Sequence, residues 1–258
     1  WNENSRYVVE NLLHDNLDSK KQIVILANSV HEEEIKSTII DPIRVFFVSG
    51  IATNKSDLEK IMIDKADVAI IVSDSTYKED PDARVILKAL TIKKFFKDSK
   101  KSIYTVAEIK EPSNIPIAQD AEVDQIVSLS NIHAKIFTQA INNPGVTKFI
   151  NEIVTYNDDN DIYSFVIDKN STLNNKTYDE ILIALREHNI LLLSINFEYK
   201  RSNEEIEKIK KEFGLTKSII TNPINQSEQE YRAQDGDLVI VLCQFENVLT
   251  EALKSFNI

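Results

Sequence analysis

The sequence predicts an α/β chain with a doubly wound parallel sheet first and a small α+β lobe after it. Two observations carry this. Through roughly the first half, apolar runs of strand length alternate with helical stretches, the rhythm of βαβ units. Beyond the acidic stretch "YNDDND" (Tyr156 to Asp161) strands and helices follow in a different order. At 258 residues either part can bury a core of its own.

The elements follow in order. "SRYVVENLLHDNL" (Ser5 to Leu17) sets Val8, Val9, Leu12 and Leu13 on one helical stripe, with Ser5 placed to cap it. "QIVILA" (Gln22 to Ala27) is a continuous apolar run, the pattern of a strand buried on both faces. "HEEEIKS" predicts a short helix and "IRVFFV" (Ile43 to Val48) a second strand. Ser56 and Glu59 read as a capping box before "SDLEKIMI". "DVAIIV" (Asp67 to Val72) predicts a third buried strand, "DARVILKALTIKKFF" (Asp82 to Phe96) an amphipathic helix, and "SIYTVAEI" (Ser102 to Ile109) a fourth strand. A short helix and "DQIVSL" (Asp124 to Leu129) complete this part.

Such a sheet begins with its central strand, yet this chain begins with a helix. The expectation is that the first strand lies upstream of Trp1 and that its place in the sheet is a gap. From Asn131 to Tyr156 a long helical stretch is broken by "NNPG" (Asn142 to Gly145), where Pro144 and Gly145 demand a turn. The last part reads strand "IYSFVI", a helix capped by Thr177 and Glu180, strand "ILLLSINF", and helix "SNEEIEKIKKEF". Strand "KSII", turn "QDGD", strand "LVIVLC" and a terminal helix follow.

Composition excludes several classes. A net charge of −11 argues against nucleic acid, whose phosphates need a basic face. No apolar run approaches the roughly 18 residues of a membrane helix. The single cysteine, Cys243, permits no internal disulfide and reads as a small buried hydrophobe. The start at Trp1 and the single methionine, Met62, predict a piece of a longer protein.

Chemical motifs are sparse. The four glycines, Gly50, Gly145, Gly214 and Gly236, build no G-x-G-x-x-G or Walker loop. The strand that should end in a ribose-binding acid ends in Ala27, Asn28 and Ser29. The four histidines show no zinc spacing, and no nucleophile pattern occurs. Acids gather where strands end: Asp74, then Glu79, Asp80 and Asp82, and Glu108 after the next strand. Hard cations take oxygens from such sets, but loop acids near a helix start account for them more simply.

The order "SGIATNKSDLEKIMIDKADVAIIVSD", then "IYTVAEIKEPSNIPIAQDAEVDQIVSLSNIHAKIFTQAI", resembles the RCK domain (regulator of K⁺ conductance, TrkA-N) of prokaryotic-type potassium channels. The tail from Ile162 to Cys243 is similar to the TrkA-C lobe of the same family. The resemblance implies a Rossmann-like N-lobe (1–130), a crossover helix-turn-helix that pairs two subunits (131–157), and a C-lobe (158–258). It implies no enzyme but a cytoplasmic gating-ring domain of a protein at the cell membrane. That domain couples an ion or nucleotide to opening of a pore upstream, within a homodimer and an octameric ring.

Carried over by position, the ligand-facing residues are Asn2, Asn28, Ser29, Gly50, Thr53, Asp74 and Glu108. Asp82 and Glu108 match the acids of calcium-gated members. Ile132, Ile136, Phe137, Ile141, Val146, Phe149 and Ile153 would form the dimer interface. The chain departs from the family pattern at Ile51, where an aspartate follows the glycine, and at Asn28 or Ser29 in place of the ribose acid. Both departures count against NAD or an adenine nucleotide and leave Ca²⁺ ahead. Lys110, standing where a second acid occurs, supports Ca²⁺ only in part. A detached regulatory subunit of a K⁺ transporter stays open as an alternative, as does an assembly scaffold. A nucleotide-dependent oxidoreductase would need an acid or base beside a nicotinamide.

Overall fold

The computed structural model describes residues 1–14, 22–38, 41–74, 79–97, 101–155 and 160–258. The predicted end of the first helix near Leu17 and most of the acidic stretch after Thr155 lie outside them. The chain divides into two compact units, Trp1–Val146 and Thr147–Ile258, so the division falls just after the "NNPG" turn.

In the first unit, α1 (Glu3–His14) precedes β1 (Ile23–Ala27), and a 3-10 turn at Ser29–His31 leads into α2 (Glu32–Thr38). β2 (Val45–Ser49), α3 (Lys55–Lys60), β3 (Val68–Ile71) and α4 (Pro81–Phe96) follow. β4 (Tyr104–Glu108), α5 (Ile115–Asp120), β5 (Gln125–Val127) and α6 (Leu129–Asn142) end it. All strand pairs are parallel, as the alternation predicts, but they form two sheets. One is β1-β2 and the other β3-β4-β5, and among the described residues no ladder joins β1 to β3.

That break corrects one expectation. β1 and β3 are not buried on both faces: Val24, Val68 and Ile70 are exposed. A strand at a sheet edge loses the flank that a neighbour's side chains would give it. The core lies behind β3 and β4, where Leu58 of α3 and Val85 and Ala89 of α4 meet Ile71 and Ala107. A smaller cluster joins Trp1, Ala27 and Ile35.

Two helix starts also differ from the reading. Asn2 caps α1, and its carboxamide oxygen accepts from the Ser5 amide at 2.8 Å and the Ser5 hydroxyl at 2.8 Å. Asn54, not Ser56, caps α3, accepting from the Ser56 amide at 3.1 Å. Both carboxamides reach the free amides of the first turn, a cap as good as serine.

α7 (Val146–Val154) begins at the boundary, after α6 has stopped at Asn142 and the "NNPG" turn has intervened. The second unit continues with β6 (Asp161–Val166), α8 (Tyr178–Arg186), β7 (Leu191–Asn196) and α9 (Asn203–Phe213). It ends with β8 (Ile219–Ile220), α10 (Gln226–Glu230), β9 (Leu238–Cys243) and α11 (Glu246–Ser255). The four strands form one antiparallel sheet, β6-β9-β7-β8. Asp161, read from sequence as linker, is the first residue of β6, buried and paired with Cys243.

One face of this sheet, with Phe165, Val239, Val241, Leu192 and Ile195, packs in a core with Ile181 and Leu185 of α8, Ile206 and Ile209 of α9, and Leu249 of α11. The capping box at Thr177 and Glu180 is formed as predicted, and a second one, unread in the sequence, joins Ser202 and Glu205. Asp237 is fully buried and accepts from Arg201, from the Tyr231 hydroxyl at 2.7 Å and from the Gln234 amide at 2.9 Å. Burial pushes the Tyr231 hydroxyl well above its ordinary range, so it remains a donor. Gly236 turns with φ +89°, and the Arg201 guanidinium passes 3.3 Å from where a Cβ would stand.

Candidate functional site

Parallel α/β sheets bind ligands outside the carboxyl ends of their strands. In the first unit those ends carry a dense polar network. Glu108, the last residue of β4, is 9% exposed. Its Oε2 accepts from the Ser73 amide and hydroxyl, both at 3.0 Å, and from Asn2 Nδ2 at 3.2 Å. Its Oε1 accepts from Asn4 Nδ2 at 3.2 Å. Asn2 Nδ2 also donates to the Ser73 carbonyl at 2.8 Å. The start of α1 is thus tied to the ends of β3 and β4 through one carboxylate. Burial pushes the Glu108 carboxyl up, but the donors from Ser73, Asn4 and Asn2 outweigh it and hold it below its usual range.

Beside this network, Asp74 Oδ1 lies 3.0 Å from His31 Nε2, and His31 Nδ1 lies 3.7 Å from Glu34 Oε2. Trp1 Nε1 donates to Glu34 Oε1 at 3.2 Å. Trp1 and Asn2 are neighbours, as are Ser73 and Asp74, so the two networks adjoin. Lys88 of α4 reaches toward the Val72 carbonyl at 3.4 Å, and burial lowers its ammonium from the ordinary lysine range.

The other predicted ligand residues lie elsewhere. Asp82 is 2% exposed, and its two oxygens accept from the Lys110 amide, the Glu111 amide and Asn114 Nδ2, each at 2.9 Å. Burial pushes its carboxyl up, and these three donors together with the Lys110 charge bring it below its usual value. Asn28 caps the 3-10 turn, accepting from the Val30 amide at 3.1 Å, with Ser29 beside it. Thr53 is exposed on the turn after β2.

Gly50 is fixed by crowding. A Cβ there would stand 2.8 Å from Leu26 and 2.9 Å from Asp57, so α3 closes directly on it. The Ile51 amide donates to Asp57 Oδ2 at 3.0 Å, and Lys60 Nζ lies 2.6 Å from Asp57 Oδ1. This turn satisfies its own donors and its own acid.

A divalent cation needs several oxygens whose lone pairs it can share. Asp82 and Glu108 spend theirs on separate sets of N–H and O–H donors, and no group of three metal-type side chains occurs among the described residues. The sequence did not signal Ser73, Asn4 or His31, because each is brought to the site by pairing between distant segments.

The predicted interface residues lie on α6 and α7, neither of which buries a single residue. Phe137 is 60% exposed, Ile141 78% and Phe149 60%; Ile132 is also exposed, and Ile136, Val146 and Ile153 are half-buried.

A family model described as the calcium-activated potassium channel slowpoke-like RCK domain matches residues 2–138. The calcium-gated potassium channel TvoK of Thermoplasma volcanium is 25% identical over 259 residues, which cover 98% of this chain and 63% of that protein. The chain therefore spans about two thirds of this curated relative's length. The human SLO3 gating ring shares the fold at a TM-score of 0.59 and 15% identity, over 90% of this chain and 41% of that one.

Proposed function

The chain belongs to the Slo-like RCK family, and on that premise we propose that it is the cytosolic ligand-sensing part of a potassium channel's gating ring. The observation that carries the reading is the pair of consecutive helices, α6 and α7, that fully bury none of their residues within one copy. An apolar helix of a working protein is covered by something, and a second copy of the chain is the occupant proposed. Pairing runs through Ile132, Ile136, Phe137 and Ile141 of α6 and Val146, Phe149 and Ile153 of α7, within an octameric ring. No helix among the described residues is long and apolar enough to cross a membrane, so the pore is assigned to polypeptide outside these 258 residues. The strand that fills the place between β1 and β3 is assigned there too.

The mechanism is linkage. A ligand that binds one geometry of the ring more tightly than another shifts the gate by the ratio of its two affinities. The reading locates the sensor in the network around Glu108, where one carboxylate ties α1 to β3 and β4 and a change at any partner moves the others. Asp82 is read as a loop latch and no step is routed through a cation.

The test is K⁺ release from vesicles carrying the full-length protein, titrated with Ca²⁺, NAD⁺, NADH, ATP and ADP. The expected result is flux that responds to one of these ligands, with a midpoint that moves in Glu108→Gln and stays in place in Asp82→Asn. Flux indifferent to every ligand would sink the sensing role.

A further inference from the structure

His31 ends the 3-10 turn that follows β1 and is 6% exposed. Each of its ring nitrogens faces a carboxylate. Nε2 lies 3.0 Å from Asp74 Oδ1, just past the end of β3, and Nδ1 lies 3.7 Å from Glu34 Oε2 in the first turn of α2. A neutral imidazole carries its proton on one nitrogen only. With the proton on Nε2, Nδ1 turns a lone pair toward Glu34. With the proton on Nδ1, a lone pair meets Asp74 at hydrogen-bonding distance. Only the imidazolium offers an N–H to both acids.

The place of the ring gives this chemistry a consequence. His31 belongs to the β1-β2 side of the first unit and Asp74 to the β3-β4-β5 side, and no ladder among the described residues joins the two sheets. Asp74 follows Ser73, whose amide and hydroxyl bind Glu108. Glu34 accepts from the indole of Trp1, the neighbour of Asn2. Both acids that face the ring thus adjoin the network around Glu108. From this geometry we infer that His31 is a proton-binding clasp across the break, which on protonation draws the turn after β1 and the start of α2 against the end of β3. The clasp follows from the fold alone; that it makes the sensor answer to pH rests on the sensing role proposed above.

Histidine is the side chain whose ordinary titration falls between about pH 5 and 8. Burial disfavours a charged ring, and adjacent carboxylates favour it. Besides Asp74 and Glu34, the charge bearing on this cluster comes from α4. Lys88 acts on Asp74, and Arg84 acts on Lys88. Lys88 therefore competes with His31 for Asp74, although burial lowers its ammonium from the ordinary lysine range. On α2, Glu32 is paired with Lys36, and α1 brings up the uncharged indole of Trp1.

The experiment uses the full-length protein with its histidines isotope-labelled at the ring carbon between the two nitrogens. NMR follows them across about pH 5 to 8, and the His31 signal is the one lost in His31→Gln. That signal is expected to titrate within the range. Glu34→Gln and Asp74→Asn should each lower its midpoint by about one pH unit, tenfold in proton concentration, and Lys88→Met should raise it. A signal that does not move, or a midpoint indifferent to all three variants, overturns the inference.

A second readout separates a clasp from a fixed contact. The clasp contributes stability when protonated and loses it as pH rises, so His31→Gln and Glu34→Gln should lower the melting temperature of the first unit more near pH 6 than near pH 8. Equal losses at both values mean a fixed contact and overturn the clasp. Glu34 is exposed, so its variant keeps this arm open should His31→Gln not fold. K⁺ release from vesicles, titrated with Ca²⁺, NAD⁺, NADH, ATP and ADP, is then compared at the same two pH values. Release is expected to differ between them in the parent protein and not in His31→Gln. Release that answers a ligand but ignores pH overturns control by the clasp while the sensing role stands. Release that answers neither sinks the sensing role, and the clasp then stands or falls on the NMR midpoint.

Discussion

The second unit threads its four strands into a single ladder over one core, whereas the first splits five strands into two sheets with an unpaired edge on each side of the break. The difference separates what a segment of chain can finish alone from what needs another segment. In the second unit each strand finds its neighbour within about a hundred residues of sequence. In the first, β1 ends at Ala27 against Trp1 and β3 leads to Ser73 in the Glu108 network, but no ladder among the described residues joins the two strands. Beside its apolar core, the first unit is cross-tied by carboxylates: Asp57, Asp82, Glu108 and Asp124 each bind backbone amides of another turn or strand.

The contrast can be broken most sharply at the Arg201–Asp237 pair. Arg201→Met leaves the buried Asp237 without its cation, which costs about 3–5 kcal/mol. Calorimetry should show the transition of the second unit falling while that of the first stays in place. A single transition that moves as a whole would mean the units melt together and the contrast is only geometric.

The corresponding loss in the first unit is smaller. Asp82→Asn removes an acceptor from the Lys110 and Glu111 amides, worth about 1–3 kcal/mol for buried donors left unmade, read as a shift in denaturant midpoint. Acid provides the matching pH test. Asp82 and Glu108 both have folded-state values below their ordinary 3.8 and 4.5. Their stabilisation is therefore complete at neutral pH, and it is lost as pH falls below those ordinary values and through the depressed ones. The first unit should lose stability on acidification over that window, and Asp82→Asn should flatten the loss. A first unit as stable at pH 3 as at pH 6 would contradict the latch reading.

Hydrogen exchange sharpens the comparison further. Amides of β9, flanked on both sides, should exchange most slowly, and those of β1 and β3 facing the break fastest. In full-length protein the β1 and β3 amides should slow. Smallest of all are the caps. Asn54→Ala in the first unit and Thr177→Ala in the second should each cost about 1 kcal/mol, by thermal denaturation. Unequal costs would show that one helix is held chiefly by tertiary packing.

Much of the fold was legible because period and punctuation are local. The strand runs, the "NNPG" break and the Thr177–Glu180 box all read directly. The two shifted caps were missed because asparagine at position 2 or 54 is as able a cap as the serine two or three residues on, and only backbone geometry chooses. The site was less legible. Composition and order pointed to the strand ends, and Asn2, Asp74 and Glu108 lie there. Yet Asp82 and Glu108 look alike in sequence and differ only in which amides the folded chain aims at them. His31 meets Asp74 across 43 residues, a distance no local pattern spans.

One consequence follows from the place of Trp1. It is the chain's sole tryptophan, buried against Ile35 and Ala27, bonded to Glu34 and next in sequence to Asn2. These 258 residues thus carry their one indole in the first unit. Selective excitation of its indole reports the first unit alone, and a ligand that rearranges the Asn2–Glu108 network should change its emission without any label.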